Sequence, residues 1–255
     1  HSAEIENISE IFERDGLVSI EPPLTEDQVI AMRHYFEKSQ KFSRSLSILN
    51  FDISDVVQAP HIFNLATHSQ ALAIAKNFLG GPASIVDLSA WRSLSEQGEK
   101  MPGSHTFHRD RDDFRACKMF LYLNDVGPNN GPHMFVKKSH DPSFVASKIE
   151  QSTLQVNDFF TGNGRAIAKF AEHIFEDCIT ELPGNAGMCF MENTYGLHRG
   201  KPPTAGMRQI VQVLYATIPY PNRIARLAKV GLERIPDGCD DTPLVKHALK
   251  YFLRA

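Results

Sequence analysis

The chain has 255 residues, with 27 Lys and Arg against 30 Asp and Glu, a formal net charge of −3. That length suits one large domain, which buries roughly three quarters of the surface its unfolded form exposes. A hydrophobic share of 42% and a charged share of 22% are ordinary for a globular chain, and the charge balance leaves no footprint for nucleic acid or an acidic membrane surface.

In chain order, the first predicted element is a helix opened by Thr25 and Gln28, a capping box directly after Pro22-Pro23. Val29, Ile30, Met32, Tyr35 and Phe36 keep helical spacing beyond it. A second helix is predicted over 69–79, with Leu72, Ile74, Ala75 and Phe78 as its apolar stripe and Gly80-Gly81 as its stop. From residue 84 short apolar or alternating runs predict strands near 84–92, 117–124, 132–137, 187–192 and 209–217. Asn129-Asn130-Gly131-Pro132 and Gly184-Asn185-Ala186-Gly187 are turn signals between them. An inserted helix is expected over 163–176. A last one follows Asp241 or Thr242 as cap, with Pro243 in its first turn and Leu244, Val245, Ala248, Leu249 and Phe252 facing inward. No repeat and no linker interrupts the pattern. The expectation is one α+β domain over 1–255, mainly β, with a core at about 84–217 and a helical part at about 20–80.

Cys117, Cys178, Cys189 and Cys239 have no CxxC spacing, which argues against a zinc ribbon or disulfide scaffold. Cys117 and Cys189 lie in apolar runs and read as small buried hydrophobes. This usage fits a reducing compartment, so a cytoplasmic location is expected. No apolar run reaches the 18 to 20 residues of a membrane span.

The tightest group of candidate ligands is His108-Arg109-Asp110. With eleven histidines in the chain, a His-x-Asp arises by chance about as often as not, and a solvated salt-bridge loop is the plain alternative. Its distant company changes the weight. His198 follows a strand-like run, and Arg208 comes ten residues later at the head of another. Two His and one carboxylate can occupy one face of an octahedral Fe(II) and leave the other positions open. A buried Arg then offers a fork to the far carboxylate of a dicarboxylate ligand.

His108-Arg-Asp110, then Met119-Phe-Leu-Tyr-Leu-Asn-Asp125-Val, then Asn130-Gly131-Pro132-His-Met-Phe-Val-Lys-Lys-Ser139-His140 resembles the phytanoyl-CoA dioxygenase (PhyH-like) family. That family carries HxD, a strand ending in LxD, an NGP…GSH turn, and a distal His followed about ten residues later by Arg. Lys138 replaces the usual Gly before Ser139-His140. The resemblance implies a double-stranded β-helix (jelly-roll, cupin-like) core with flanking helices, holding non-haem Fe(II) and using 2-oxoglutarate and O2. It implies His108, Asp110 and His198 as metal ligands and Arg208 as the partner of the 2-oxoglutarate C5 carboxylate. Related halogenases replace the carboxylate by Ala or Gly. Asp110 therefore implies hydroxylation or a related oxidation of a small organic substrate, with release of succinate and CO2.

Strand alternation over 117–123 puts Cys117, Met119, Leu121 and Leu123 on one face, expected to pack outward against helices. Lys118 and Tyr122 then point into the barrel as candidate cosubstrate contacts; a Lys snorkelling on an exposed face is the alternative. His105 either lines the pocket or sits in its loop. His133 and His140 read as structural, and Trp91 and Arg92 lie on the strand before the metal loop. Loops 38–62, 94–107 and 140–165, with Arg44, Lys100, Phe107, Phe144, Phe159 and Phe160, are expected at the mouth. The competing reading is a non-oxidative cupin that keeps a metal for binding, and a zinc hydrolase built on His105, His108 and His198 is poorer still. Arg208 discriminates, because neither alternative needs a fork for a dicarboxylate.

Overall fold

The computed structural model describes residues 2–95, 103–110, 112–152, 168–218, 223, 227 and 230–254. Helix α1 (Ser2–Asp15) leads into β1 (Leu17–Ile20). Helix α2 (Glu26–Lys38) starts at the capping box. Thr25 Oγ1 accepts from Gln28 N, and Gln28 Oε1 accepts from Thr25 N. A hairpin of β2 (Phe42–Ser45) and β3 (Ile48–Phe51) follows, then short helices α3 (Ile53–Val56) and α4 (Ile62–Ala66). Helix α5 (Ser69–Leu79) ends at Gly80, whose φ of 75° is the left-handed stop expected there. The remaining elements are β4 (Ser84–Leu94), β5 (Ala116–Tyr122), β6 (His133–Val136), α6 (Pro142–Glu150) and α7 (Ala168–Ile174). After them come β7 (Ile179–Leu182), β8 (Cys189–Asn193), β9 (His198–Gly200), β10 (Met207–Ala216) and α8 (Pro243–Ala248).

Two antiparallel sheets make the jelly-roll core. One has the order β1-β8-β5-β10-β4-β3-β2, the other β7-β6-β9. Phe120, Tyr122, Phe190 and Ile210 of the large sheet pack with Phe135 and Leu182 of the small one. The opposite face of the large sheet carries the main apolar core. Cys117, Met119 and Leu121 meet Val29, Met32 and Phe36 of α2, Leu72 and Ile74 of α5, and Val245 of α8. Each such side chain contributes roughly 1.5–3 kcal/mol when fully buried. The outward packing expected for this face of β5 is what the helices provide.

Several elements were not foreseen. Strands β1, β2, β3, β7 and β9 are three or four residues long, too short to show two full alternations. Strand β2 is exposed throughout and carries no apolar pattern. Helix α1 was also missed. Helix α6 replaces the first part of the loop expected over 140–165; Asp141 caps it through Ser143 N, and Pro142 opens it. Helix α7 lies within the insertion expected over 163–176, of which 163–167 fall outside the described residues. Thr242, not Asp241, caps α8, accepting from Val245 N. Lys100, Phe159 and Phe160 also lie outside the described residues. Phe107 is not at the mouth: it is fully buried beneath Arg199, whose guanidinium sits 4.6 Å from the ring centroid. Its apolar ring joins a second cluster with Val136, Phe175 and Leu197.

Candidate metal centre

The motifs find their physical meaning in how they brace one cavity. Asp125 Oδ1 accepts from Ala186 N and ties the end of β5 to the turn before β8. Asn130 Oδ1 accepts from Gly127 N, closing the tight turn. Gly131 has φ 76°, and a Cβ there would collide with the backbone at Lys201 and Pro203. Ser139 Oγ donates to Val136 O and accepts from Leu197 N, each at 2.6 Å. Its carbonyl accepts from Arg109 Nη2 at 2.6 Å, so one serine joins the turn, the approach to β9 and the His-x-Asp loop. Lys138, at the family's glycine position, stands at φ 65°. The left-handed backbone is kept although the residue that favours it is absent.

His108 and His198 are joined as an antiparallel bridge, each N–H donating to the other's carbonyl at 3.0 Å. Asp110 N donates to Thr194 O at 2.9 Å. The two imidazoles are oriented alike: Nδ1 of His108 faces Thr106 O at 2.8 Å, and Nδ1 of His198 faces Gly196 O at 2.9 Å. A carbonyl only accepts, so Nδ1 carries a proton in each ring, and in the neutral imidazole Nε2 is the nitrogen whose lone pair a metal would take. Nε2 of His198 lies 3.4 Å from Asp110 Oδ2, and Nε2 of His108 lies 3.8 Å from Asp110 Oδ1. One ligand atom from each residue falls within 4.8 Å of the others. Two oriented imidazoles and a carboxylate facing a cavity fit a divalent iron with open positions.

The inner face of the large sheet is ordered in rows. Register places Arg208 opposite Ser93, Ile210 between Trp91 and Tyr122, Gln212 between Ser89 and Phe120, and Leu214 between Asp87 and Lys118. The cavity, about 270 Å³, is lined by His108, Asp110, Lys118, His133, His198 and Arg208, with Trp91, Phe120, Ser89 and Gln212 on its wall.

Lys118 points inward as the alternation required, but its ammonium pairs with Asp110 and, at 3.4 Å, with Asp112. Burial pushes the Asp110 carboxyl up, yet Lys118, His198 and His108 override it and hold it far below the usual carboxylate range. Arg208 is 2% exposed. It donates from Nη1 to Gly131 O and from Nη2 to Ser93 Oγ at 3.3 Å, while Nε has no partner. No carboxylate pairs with it among the described residues. Gly200 leaves the room for its guanidinium, since a Cβ there would strike it. Burial pulls the Arg208 pKa down, the direction expected of a cation without a counter-ion.

Two expected cosubstrate contacts are placed otherwise. The Tyr122 hydroxyl donates to Leu182 O at 2.9 Å and accepts from His133 N at 3.0 Å. It links the two sheets where they converge, and an inward tyrosine there meets backbone instead of the cavity wall. His105 is buried behind the wall, its Nε2 without a partner. Burial, aided by Arg208 and Arg199, pushes its pKa down to about 4. His140 is structural, with Nε2 at 2.9 Å from Glu13 O.

The sequence reading missed a buried pair. His133 lines the cavity, and its Nε2 lies 2.6 Å from Oε2 of the fully buried Glu192. The other Glu192 oxygen lies 3.7 Å from His198 Nε2, and the His133 ring stacks on that of His198 at 5.9 Å. A signal existed in Cys189-Phe-Met-Glu-Asn193: Cys189 and Met191 join the outer core, so Phe190 and Glu192 must face inward.

No curated protein sequence matches the chain. Among solved structures, the epimerase SnoN in complex with Fe3+, alpha ketoglutarate and nogalamycin RO is similar at a TM-score of 0.64 and 18% identity, over 94% of this chain and 93% of that one. HygX from Streptomyces hygroscopicus, with nickel and 2-oxoglutarate bound, is similar at 0.53 and 17%, over 82% and 86%. EctD from S. alaskensis, with 2-oxoglutarate and 5-hydroxyectoine, is similar at 0.54 and 15%, over 82% and 75%. These likenesses are of fold. The sequence itself goes further: the family profile described as phytanoyl-CoA dioxygenase (PhyH) matches residues 12–202, which take in the His-x-Asp loop, both turns and the distal histidine. By that match the chain belongs to the phytanoyl-CoA dioxygenase family.

Proposed function

We propose that the protein is a non-haem Fe(II)- and 2-oxoglutarate-dependent dioxygenase that hydroxylates or otherwise oxidises a small organic substrate, releasing succinate and CO2. The observation that carries this reading is Arg208. A guanidinium at 2% exposure without a carboxylate partner among the described residues is costly until an anion joins it. It lies in the same cavity as His108, Asp110 and His198. A dicarboxylate that spans from the metal face to Arg208 satisfies both ends. A non-oxidative cupin has no use for such a cation.

When bound, iron supplies the activation of O2 and the coupled oxidation of cosubstrate and substrate; the rest falls to the chain. His108, Asp110 and His198 hold the metal, with the Nδ1 bonds to Thr106 and Gly196 keeping both rings in register. Lys118 holds Asp110 ionised and turned toward the metal face. Arg208 grips the C5 carboxylate through paired donors. Phe120 and Trp91, edge to face with centroids 6.3 Å apart, keep water from the reacting side. The structures of similar fold include an epimerase and EctD with 5-hydroxyectoine, so this fold serves more than one reaction outcome. Asp110 closes the position a halide would need, which favours hydroxylation over halogenation.

The test is succinate release with O2 uptake in the presence of Fe(II) and 2-oxoglutarate. Turnover that needs both supports the reading, and activity indifferent to 2-oxoglutarate returns the protein to the non-oxidative reading.

A further inference from the structure

Most charged groups of the cavity have partners, whereas the Gln212 amide has none among the described residues. Gln212 lies on the inner face of β10, four residues beyond Arg208 and hence about 13 Å along an extended strand. It is only 9% exposed, it lines the cavity, and its amide makes no hydrogen bond among the described residues. A side chain this buried whose amide opens only to the cavity is placed to bond what fills it. Its cross-strand neighbours are Ser89 on β4 and Phe120 on β5. The Ser89 hydroxyl donates to Asp87 Oδ2 at 3.1 Å, which leaves its oxygen able to accept. Trp91, one row away, presents an indole to the same cavity.

The charges at this end are matched to one another. Lys118 pairs with Asp110 and Asp112, and Arg223 pairs with Asp112 and, at 3.7 Å, with Asp87. An ionised substrate group placed here would leave water without finding a free counter-ion among the described residues. A hydroxyl, which donates and accepts as an amide does, would match Gln212 and Ser89 together. The C–H face of a polyol ring would cover the indole.

We propose that Gln212, with Ser89 and Trp91, is the recognition wall for the organic substrate, and that the substrate presents there a neutral, sugar-like group bearing several hydroxyls. The inference rests on the oxygenase reading above, which assigns Arg208 to the cosubstrate and leaves Gln212 to the substrate.

Trp91 is the sole tryptophan of the chain, so its fluorescence reports occupancy of this wall. The protein, loaded anaerobically with Fe(II) and 2-oxoglutarate at pH 6.5, is titrated with methyl glucoside. Methyl glucuronide and methyl glucosaminide, which keep the ring but add a negative or a positive charge, serve as comparisons. The neutral glycoside is expected to give the tightest saturable change. Gln212→Leu, close in volume, should weaken it about 10-fold through the loss of two neutral hydrogen bonds. Gln212→Glu should shift the preference to the cationic glycoside. Tightest binding of a charged glycoside by the wild type overturns the inference, as does no saturable response to the neutral one. Equal losses of 2-oxoglutarate and glycoside affinity in Gln212→Leu would move Gln212 to the cosubstrate and overturn it too. Activity indifferent to 2-oxoglutarate sinks the oxygenase reading and this inference together. Succinate formation with an unshifted charge preference in Gln212→Glu sinks this inference alone.

Discussion

The two faces of β5 differ in chemistry although its seven residues are all buried. Outward, Cys117, Met119 and Leu121 join the apolar core beneath the helices. Burial alone pushes the Cys117 thiol far up, with no charge nearby to oppose it. Inward, Lys118 is engaged by two carboxylates and Phe120 stacks on Phe190 at 5.2 Å. Depth therefore does not separate core from site in this fold. What separates them is whether buried polar atoms are matched within the chain or await a ligand, as at Arg208 and Gln212.

If that distinction holds, substitutions on the inner face should remove ligands and spare the fold, while those on the outer face should do the reverse. The largest effect is expected from His198→Ala. Anaerobic iron titration should show affinity lowered by at least about 100-fold, more than loss of a supporting hydrogen bond would give, with the melting temperature little changed. Stoichiometric iron retained in that variant would break the comparison at its centre. Next comes Arg208→Ala, which should keep iron but need roughly 30-fold or more 2-oxoglutarate, from a loss of about 2–5 kcal/mol at a buried charge pair. Arg208→Lys should fall between, keeping the charge but not the fork. An unchanged 2-oxoglutarate dependence would make Arg208 a mere strand-end residue.

On the outer face, Met119→Ala removes a side chain that is 1% exposed and should cost about 2–5 kcal/mol of stability. Urea unfolding should show it as a lowered midpoint, with the 2-oxoglutarate affinity of the folded protein unaltered. A shifted affinity would mean that the two faces are coupled through the strand. The smallest effect is expected at Lys138, held at φ 65° in the turn that Ser139 closes. Lys138→Gly should relieve left-handed strain and stabilise the fold by about 1 kcal/mol, or roughly 2–4 °C in melting temperature. A drop in melting temperature would show that the Lys138 side chain offsets its own strain.

The features legible in the amino-acid order are those settled between near neighbours. The capping box at Thr25 and Gln28, the left-handed stop at Gly80 and the parity of Lys118 against Met119 each depend on residues within a few positions. The family motifs added the order His108, Asp110, His198, Arg208, and the structure brings all four to one cavity. What only the tertiary structure decided lies between distant segments. It pairs His108 with His198 as a backbone bridge, buries Glu192 against His133, and gives the Tyr122 hydroxyl to the small sheet instead of the cavity. Among the described residues it also leaves Arg208 without a counter-ion and Gln212 without a partner. The physical reason is one of range. Caps and alternation are fixed by local backbone geometry, whereas the matching of a buried charge depends on which strands come to lie beside it.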